Sequence, residues 1–196
     1  NIINLTEYSR YYMAFTEPQM KRIAEKYGIV LIRDEISVCR KVLKWGKSNL
    51  DTIDYTDMIW LPNILNYVTK KYRYNWVIID EAQDVTIAEE KLIEKCFKRG
   101  CRVVIAGDRT QMINVWAGSD EEAINNFAKM PHTKHFKLPI TYRCPKKIVE
   151  LAKRFSSDII AADNAVDGQV NYNVSINAPK AGDMVLCRIT SPLIGL

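Results

Sequence analysis

The strongest constraint on the fold is an apolar run at residues 76–80 that ends in a carboxylate, with a second carboxylate directly after it at Glu81. A continuous apolar run of this length is typical of a strand buried on both faces of a parallel sheet. Ligands of such sheets bind where the strands end. We therefore predict a buried strand that presents Asp80 and Glu81 at its carboxyl end.

The residues after this run predict an alternation of helix and strand. A capping box at residues 86–89 opens a helix that we expect to reach Gly100. Residues 101–106 are predicted to form a second buried strand, and a capping box at residues 119–122 opens the next helix. Residues 136–138 fit a short third strand. This order predicts an α/β fold with a parallel sheet and right-handed crossovers.

The first third of the chain is predicted to be mostly helical. Residues 16–28 carry a capping box between Thr16 and Gln19, and residues 34–46 place apolar side chains on one face. Gly46 is predicted to end the second of these helices.

Towards the other end, Pro145 is predicted to begin an amphipathic helix with Phe155 on its inward face. Residues 168–174 and 184–189 resemble half-exposed strands. Together they predict the opening of a further domain.

Composition limits the partners and the compartment. The net charge of +5 and the pI of 8.9 permit a polyanionic partner without requiring one. The five scattered cysteines contain no CxxC pair, which favours reduced thiols in a cytoplasmic protein over disulfides or a zinc site. No apolar run is long enough to cross a bilayer, so we expect no membrane partner. His132 and His135 are interpreted as part of a solvated loop.

Two further segments carry side chains suited to phosphate and base recognition. In residues 107–118, Gln111 follows the end of the second predicted strand, where it is placed to sense a phosphate. Trp116 lies later in that segment; it is predicted either to pack in the core or to stack on an unpaired base. Arg143 lies between a predicted strand and the helix begun by Pro145, as a surface cation or as a group that stabilises transferring phosphate.

Together these segments resemble the UvrD/Rep-type superfamily 1 helicases, over roughly residues 51–196. The resemblance rests on an ordered set: residues 54–59 (DYTDMI) resemble the segment before motif II, residues 77–84 (VIIDEAQD) motif II, residues 107–118 (GDRTQMINVWAG) motif III, residues 138–152 (LPITYRCPKKIVELA) motif IV and residues 182–190 (GDMVLCRIT) the strand after it. Three ordered motifs at family-like spacing are stronger evidence than any one of them.

The resemblance implies a RecA-like parallel sheet with flanking helices, which is an incomplete P-loop NTPase fold preceded by a helical segment. Residues 1–50 would be a helical insertion and residues 51–155 part of the first motor domain. Residues 156–196 would begin the second motor domain.

The resemblance also implies the nucleotide-site roles, with ATP and Mg²⁺ as cofactors. Asp80 and Glu81 would form the metal site, with Glu81 as the catalytic base. Gln111 would couple the γ-phosphate to DNA contacts. Tyr142 would pack against adenine, and Arg143 would contact the γ-phosphate, so Gln111 and Arg143 join Glu81 as catalytic residues.

For DNA, the resemblance implies that Trp116 stacks on single-stranded DNA and that Asn114 lies at a second DNA-binding position. The family usually has an aromatic where Asn114 stands, often Arg where Ala117 stands, and usually Asn where Thr141 stands. The expected partners are single-stranded DNA, duplex DNA junctions, and repair or replication proteins.

One family element is absent from the sequence. No G-x-x-x-x-G-K-[ST] loop is present, and residues 46–48 lack the required upstream glycine, since position 41 is Lys. The first hypothesis is an internal piece of an ATP-dependent 3′→5′ DNA helicase or translocase, inactive as this chain alone. A second is a catalytically inactive module that binds single-stranded DNA or a repair partner, and a third is the motor of a RecB-like helicase–nuclease.

Overall fold

A computed structural model of the chain describes residues 1–32, 34–175 and 178–187. The chain divides into two compact units, residues 1–135 and residues 136–196, which are described separately. They are called the first unit and the second unit below.

The described part of residues 1–64 is mostly helical, as predicted for the first third of the chain. Its helices are α1 (Ile2–Tyr11), α2 (Glu17–Lys26), α3 (Glu35–Ser48) and α4 (Asp57–Ile64). They enclose one hydrophobic core, whose buried side chains include Leu5, Met20, Cys39, Leu43 and Trp60. Burial of apolar area of this kind is the main force that holds short helices together.

The start of α2 was predicted correctly, whereas the end of α3 was not. Gln19 Oε1 accepts a hydrogen bond from the backbone N–H of Thr16 at 3.0 Å, as the capping box requires. The predicted helix end at Gly46 is wrong, because α3 continues to Ser48. A glycine costs only about 1 kcal/mol inside a helix, and Gly46 lies on the side of α3 that faces the Trp60 ring.

The rest of the first unit contains β1 (Tyr74–Ile79), α5 (Ile87–Lys95), β2 (Phe97–Ile105) and α6 (Glu121–Ala128). The strands β1 and β2 pair in parallel, with Ile79 opposite Ile105. The predicted strand–helix–strand crossover is therefore confirmed. Short 3₁₀ turns lie at Lys70–Tyr72, Ala82–Asp84, Arg109–Gln111 and Val115–Ala117.

The helix α5 is shorter than predicted. It ends at Lys95, and Gly100 lies within β2 instead of ending the helix. Gly100 has a φ of +75°, in the left-handed region that favours glycine. It falls in the irregular stretch of pairing between the Tyr74–Phe97 pair and the Trp76–Arg102 pair, so this glycine marks a bulge.

The sheet is covered on one face only within the described residues. The inner face, which carries Val77, Ile79, Val103 and Ile105, packs around Ala82 and Phe127. On the other face Trp76 is 55% exposed and Ile78 is 74% exposed. The prediction that both strands are buried on both faces is therefore wrong, because the described helices pack against a single side.

The second unit contains β3 (Ile140–Thr141), α7 (Lys146–Ala152) and β4 (Ile160–Ala161), with β3 and β4 paired in parallel. The third strand was predicted at residues 136–138, so its position was wrong. Pro145 precedes α7 as predicted, but Phe155 is exposed rather than inward.

The two late strands predicted in the second unit are not confirmed. Residues 168–174 form no strand, and neither do residues 184–187, while residues 188 and 189 lie outside the described part of the chain. Among the described residues, no helix is long and apolar enough to span a bilayer.

Candidate functional site

The carboxyl ends of β1 and β2 lie side by side in the first unit. The N–H of Ala106 donates to the carbonyl of Ile79 at 2.8 Å, and the N–H of Ala82 donates to the carbonyl of Ala106 at 2.9 Å. The parallel ladder therefore continues past both strands. We call residues 80–84 the acidic turn and residues 107–118 the tryptophan loop. The continued ladder brings the acidic turn against the start of the tryptophan loop.

Asp80 and Glu81 both present exposed carboxylates at this edge. Asp80 Oδ1 accepts a hydrogen bond from the backbone N–H of Glu81 at 3.0 Å. Glu81 itself has a φ of +50° and a ψ of +44°, the left-handed conformation. That conformation costs about 1–2 kcal/mol for a residue with a side chain. Such strain is concentrated at functional positions of proteins, so it marks Glu81 as a candidate.

Gln83 links the acidic turn to the tryptophan loop. Its side chain is buried, with 2% of the residue exposed. Gln83 Nε2 donates to Glu81 Oε2 at 2.6 Å, and Gln83 Oε1 accepts from the backbone N–H of Asp108 at 2.9 Å. The Gln83 amide thus fixes the position of the Glu81 carboxylate relative to the backbone of Asp108.

Gly107 makes this close approach possible. A Cβ atom at position 107 would lie 2.9 Å from Gln83 Oε1 and 3.1 Å from the backbone nitrogen of Ala82. The first of these distances is shorter than van der Waals contact, and the second involves backbone that cannot rotate away. A side chain at position 107 would therefore push the acidic turn away from β2.

Asp108 organises the first turn of the tryptophan loop. Its carboxylate accepts from the Thr110 N–H at 2.9 Å, the Thr110 hydroxyl at 2.7 Å and Gln111 Nε2 at 2.9 Å. The hydrogen bond from the Thr110 hydroxyl is the main cause of a pKa of Asp108 below its ordinary value. Gln111, the predicted phosphate sensor, is thus held by Asp108 and remains exposed.

The carboxylates at this edge fit the way Mg²⁺ binds in nucleotide sites. Across the described residues, no group of three or more His, Cys, Asp or Glu side chains is arranged to hold a metal ion. Mg²⁺ at a phosphate site, however, is usually held by one or two carboxylates together with waters and phosphate oxygens. The exposed carboxylates of Asp80 and Glu81 provide that smaller set.

Trp116 lies on the surface of the first unit. Its side chain is 74% exposed, which excludes the alternative that it packs in the core. Asn114 is half-buried, and its carbonyl accepts from the Ala117 N–H at 2.8 Å and the Ser119 N–H at 3.3 Å. The backbone of Asn114 therefore shapes the turn that carries Trp116.

Three tyrosines contact the tryptophan loop and Asp120, the residue that caps α6; they are called the tyrosine cluster below. They are Tyr8 in α1, Tyr12 directly after α1 and Tyr27 directly after α2. Tyr8 and Tyr27 donate to consecutive backbone carbonyls of the loop. Sequence reasoning missed this cluster, because the contacts join residues about 90–110 positions apart. The frequency of tyrosine in residues 8–27 is its only sequence signal.

The segment at residues 54–59 is held to α1 by a partly buried cation, Arg10. Arg10 Nη1 donates to Asp54 Oδ2 and to Asp57 Oδ1, both at 2.8 Å. The pKa of Asp54 is held below its ordinary value: burial raises it, and hydrogen bonds from the Asp57 and Thr56 backbone and from Arg10 outweigh burial. Sequence reasoning singled out this segment without finding Arg10.

The remaining predicted site residues lie in the second unit. Tyr142 and Arg143 occupy the turn between β3 and α7, and both are exposed. The backbone N–H of Arg143 donates to Thr141 Oγ1 at 3.3 Å, so Thr141 shapes this turn. The structure thus brings Asp80, Glu81 and Gln111 to one sheet edge, whereas Tyr142 and Arg143 belong to the other unit.

The sequence of the first unit matches a known family. The family described as the UvrD/REP helicase N-terminal domain matches residues 5–132, which is most of the first unit and more than half of the chain. The chain belongs to this helicase family. The helical segment is included in the match, together with the acidic turn and the tryptophan loop.

Individual helicases show the same relationship. The chain is 27% identical over 147 residues to the ATP-dependent DNA helicase PcrA of Bacillus subtilis, a match that covers 70% of the chain and 19% of PcrA. It is 26% identical over 121 residues to the ATP-dependent DNA helicase Rep of Escherichia coli, covering 58% of the chain and 17% of Rep. The chain thus spans about a fifth of the length of the helicases it resembles.

Proposed function

We propose that this chain is part of an ATP-dependent DNA helicase that couples ATP hydrolysis to 3′→5′ movement along single-stranded DNA. The observation that carries the proposal is the link from Glu81 through Gln83 to Asp108. It joins the acidic turn, where a phosphate would be attacked, to the loop that presents Trp116. Membership of the UvrD/REP family supports the same activity.

ATP and Mg²⁺, when bound, supply the γ-phosphate and the positive charge that neutralises it. In this proposal Asp80 is the metal ligand and Glu81 accepts the proton of the attacking water. Gln83 keeps the Glu81 carboxylate in one orientation, because its own amide is fixed by the Asp108 N–H. Gln111 lies one turn away, held by Asp108, and reports the state of the γ-phosphate.

The other nucleotide contacts are proposed from the family pattern. Tyr142 packs against adenine and Arg143 stabilises charge on the γ-phosphate in this proposal; both side chains are exposed. No G-x-x-x-x-G-K-[ST] occurs in the sequence, so the cradle for the other phosphates would come from a part of the protein outside this chain. The assignment of residues 1–50, 51–155 and 156–196 to separate domains stays a prediction.

The DNA contact is proposed at the tryptophan loop. Trp116 is 74% exposed, and an exposed indole can stack on a base whatever the DNA sequence. Asn114, the proposed second contact, is half-buried and lies two residues earlier, at the start of the same turn. Single-stranded DNA, duplex junctions and repair or replication proteins remain the proposed partners, and a cytoplasmic location remains a prediction.

The role of Glu81 is tested in the full-length protein with Glu81→Gln. Loss of the general base is expected to lower the rate of ATP hydrolysis at least about 100-fold while ATP binding persists. Hydrolysis is measured as phosphate release, and binding with a fluorescent nucleotide. The matched control is Glu94→Gln, which removes an exposed carboxylate on α5. Turnover of Glu81→Gln at the rate of this control would remove Glu81 from the mechanism.

A second candidate function is a binding module without catalysis. The exposed Trp116 favours it, since a stacking surface needs no nucleotide. This candidate predicts that the chain alone binds oligothymidylate equally well with and without ATP. The helicase proposal predicts that DNA binding by the full-length protein depends on the nucleotide.

A further inference from the structure

We propose that the tyrosine cluster positions Trp116 for stacking on single-stranded DNA, so that α1 and α2 form part of the DNA-binding apparatus. The ligand of Trp116 in this proposal rests on the function proposed above. The positioning of the loop rests on the contacts of the first unit alone. Tyr8 and Tyr27 are positioning residues that act through the backbone of the loop. Tyr12 supports them through its contacts with Tyr27 and Asp120.

The first step is that two tyrosines donate hydrogen bonds to consecutive carbonyls of the tryptophan loop. The Tyr8 hydroxyl donates to the carbonyl of Trp116 at 3.1 Å, and the Tyr27 hydroxyl donates to the carbonyl of Val115 at 3.2 Å. Both acceptors belong to the 3₁₀ turn Val115–Ala117. These two hydrogen bonds therefore fix the backbone of Trp116 and leave its indole ring free.

The second step is that the tyrosine rings pack against one another. The rings of Tyr8 and Tyr27 stack with centroids 3.8 Å apart and planes 8° apart. The ring of Tyr12 meets that of Tyr27 edge-on at 6.1 Å. Because stacked and edge-on rings restrict each other, the two donor hydroxyls have fixed positions.

The third step concerns the hydroxyl protons. Tyr12 donates to Asp120 Oδ2 at 2.5 Å, and the Tyr12 and Tyr27 hydroxyl oxygens are 2.9 Å apart. Each hydroxyl has one proton, and the Tyr12 proton is taken by the charged Asp120. The Tyr27 proton is therefore shared between two acceptors, the Tyr12 oxygen and the carbonyl of Val115.

The fourth step is that the far end of the loop is held to the same helices. Asp120 caps α6 by accepting from the Glu122 N–H at 2.8 Å, and it also forms an ion pair with Lys26. Burial raises the pKa of Asp120, but hydrogen bonds from Lys26 and Tyr12 outweigh it and keep the pKa below its ordinary value. Asp120 therefore stays charged at neutral pH.

The loop also passes directly over α1. A Cβ atom at Gly118, whose φ is +88°, would lie 2.6 Å from Tyr11 Cδ2. Hydrogen bonds from Tyr27 and Tyr8 thus fix the loop at Val115 and at Trp116. After Trp116, the close approach of Gly118 to Tyr11 and the contacts of Asp120 fix it again. A rigid backbone beneath an exposed ring is what a stacking platform requires.

The test is ¹⁹F NMR of the chain labelled with 5-fluorotryptophan, titrated with oligothymidylate. The four tryptophans give four resonances, and Trp116→Phe assigns the one of interest. In the double variant Tyr8→Phe with Tyr27→Phe we expect the Trp116 resonance to shift and its affinity for the oligonucleotide to fall roughly three- to tenfold. The resonance of the core residue Trp60 should stay in place.

A matched control sharpens the test. Tyr55→Phe removes a hydroxyl from an exposed tyrosine and serves as the matched control. The positioning role is overturned if the double variant matches Tyr55→Phe, or if the Trp60 resonance moves as far as that of Trp116.

The two proposals fail in different ways. If oligothymidylate leaves the Trp116 resonance of the unmodified chain unchanged, the DNA contact fails and so does the role given to Trp116 above. The spectra without DNA then still decide whether the tyrosines position the loop, because that comparison needs no ligand.

Discussion

Gln83 shows how much a single side chain contributes to the candidate site. It is buried, it donates to Glu81 and it accepts from the Asp108 N–H. A hydrogen-bonded amide in this position fixes two neighbours at once, whereas an apolar side chain of similar size would leave the Asp108 N–H without its acceptor. Buried polar groups that lose their partner are costly to a fold.

We therefore expect Gln83→Leu to lower the free energy of unfolding of the chain by about 1–3 kcal/mol. The measurement is urea unfolding followed by circular dichroism. Gln169→Leu, at an exposed position in the second unit, is the matched control and should change stability little. Equal unfolding midpoints for the two variants would show that the Gln83 hydrogen bonds contribute nothing to the fold.

The sequence predicted the starts of helices better than their ends. The capping boxes at Thr16 and Thr86 were found correctly, because a cap depends on residues three positions apart. The cap of α6 was predicted at Ser119, but Asp120 provides it. The Ser119 hydroxyl instead donates to the carbonyl of Asp84 at 2.8 Å, a contact between distant residues that no local pattern reveals.

The cap of α5 offers a direct test of such local reasoning. Thr86 Oγ1 accepts from the Glu89 N–H at 3.2 Å, and the Glu89 carboxylate accepts from the Thr86 N–H at 2.8 Å. Thr86→Ala should lower the free energy of unfolding by about 1 kcal/mol, measured by thermal or urea unfolding. Thr52→Ala, at an exposed position before α4, is the comparison. A change no larger than in Thr52→Ala would contradict the cap.

Long-range packing limited what the sequence could predict for the complete chain. The parallel crossover and the acidic pair at a strand end followed from pattern and topology. The tyrosine cluster and the contact of Arg10 with Asp54 could not be predicted in this way, since they join residues far apart in sequence. The apolar run of β1 also suggested two buried faces, whereas one face is exposed.

The exposed sheet face predicts the behaviour of the chain in solution. Trp76, Ile78 and Val104 are exposed on the face of the sheet that no described residue covers, and exposed apolar side chains of a sheet favour association. We expect the chain to self-associate as its concentration rises, and Ile78→Thr to reduce this, measured by sedimentation velocity. Val166→Thr alters an exposed valine in a loop of the second unit and should not. Equal association by both variants would place the contact elsewhere.

The contact between Gly107 and Gln83 also bears on which residues related chains can have at position 107. The space that a methyl group at position 107 would need is filled by the oxygen of Gln83. A shorter side chain at 83 would remove only this contact, because the backbone nitrogen of Ala82 would still lie 3.1 Å from a Cβ atom at 107. Among related chains we therefore expect glycine to persist at position 107 even where position 83 changes.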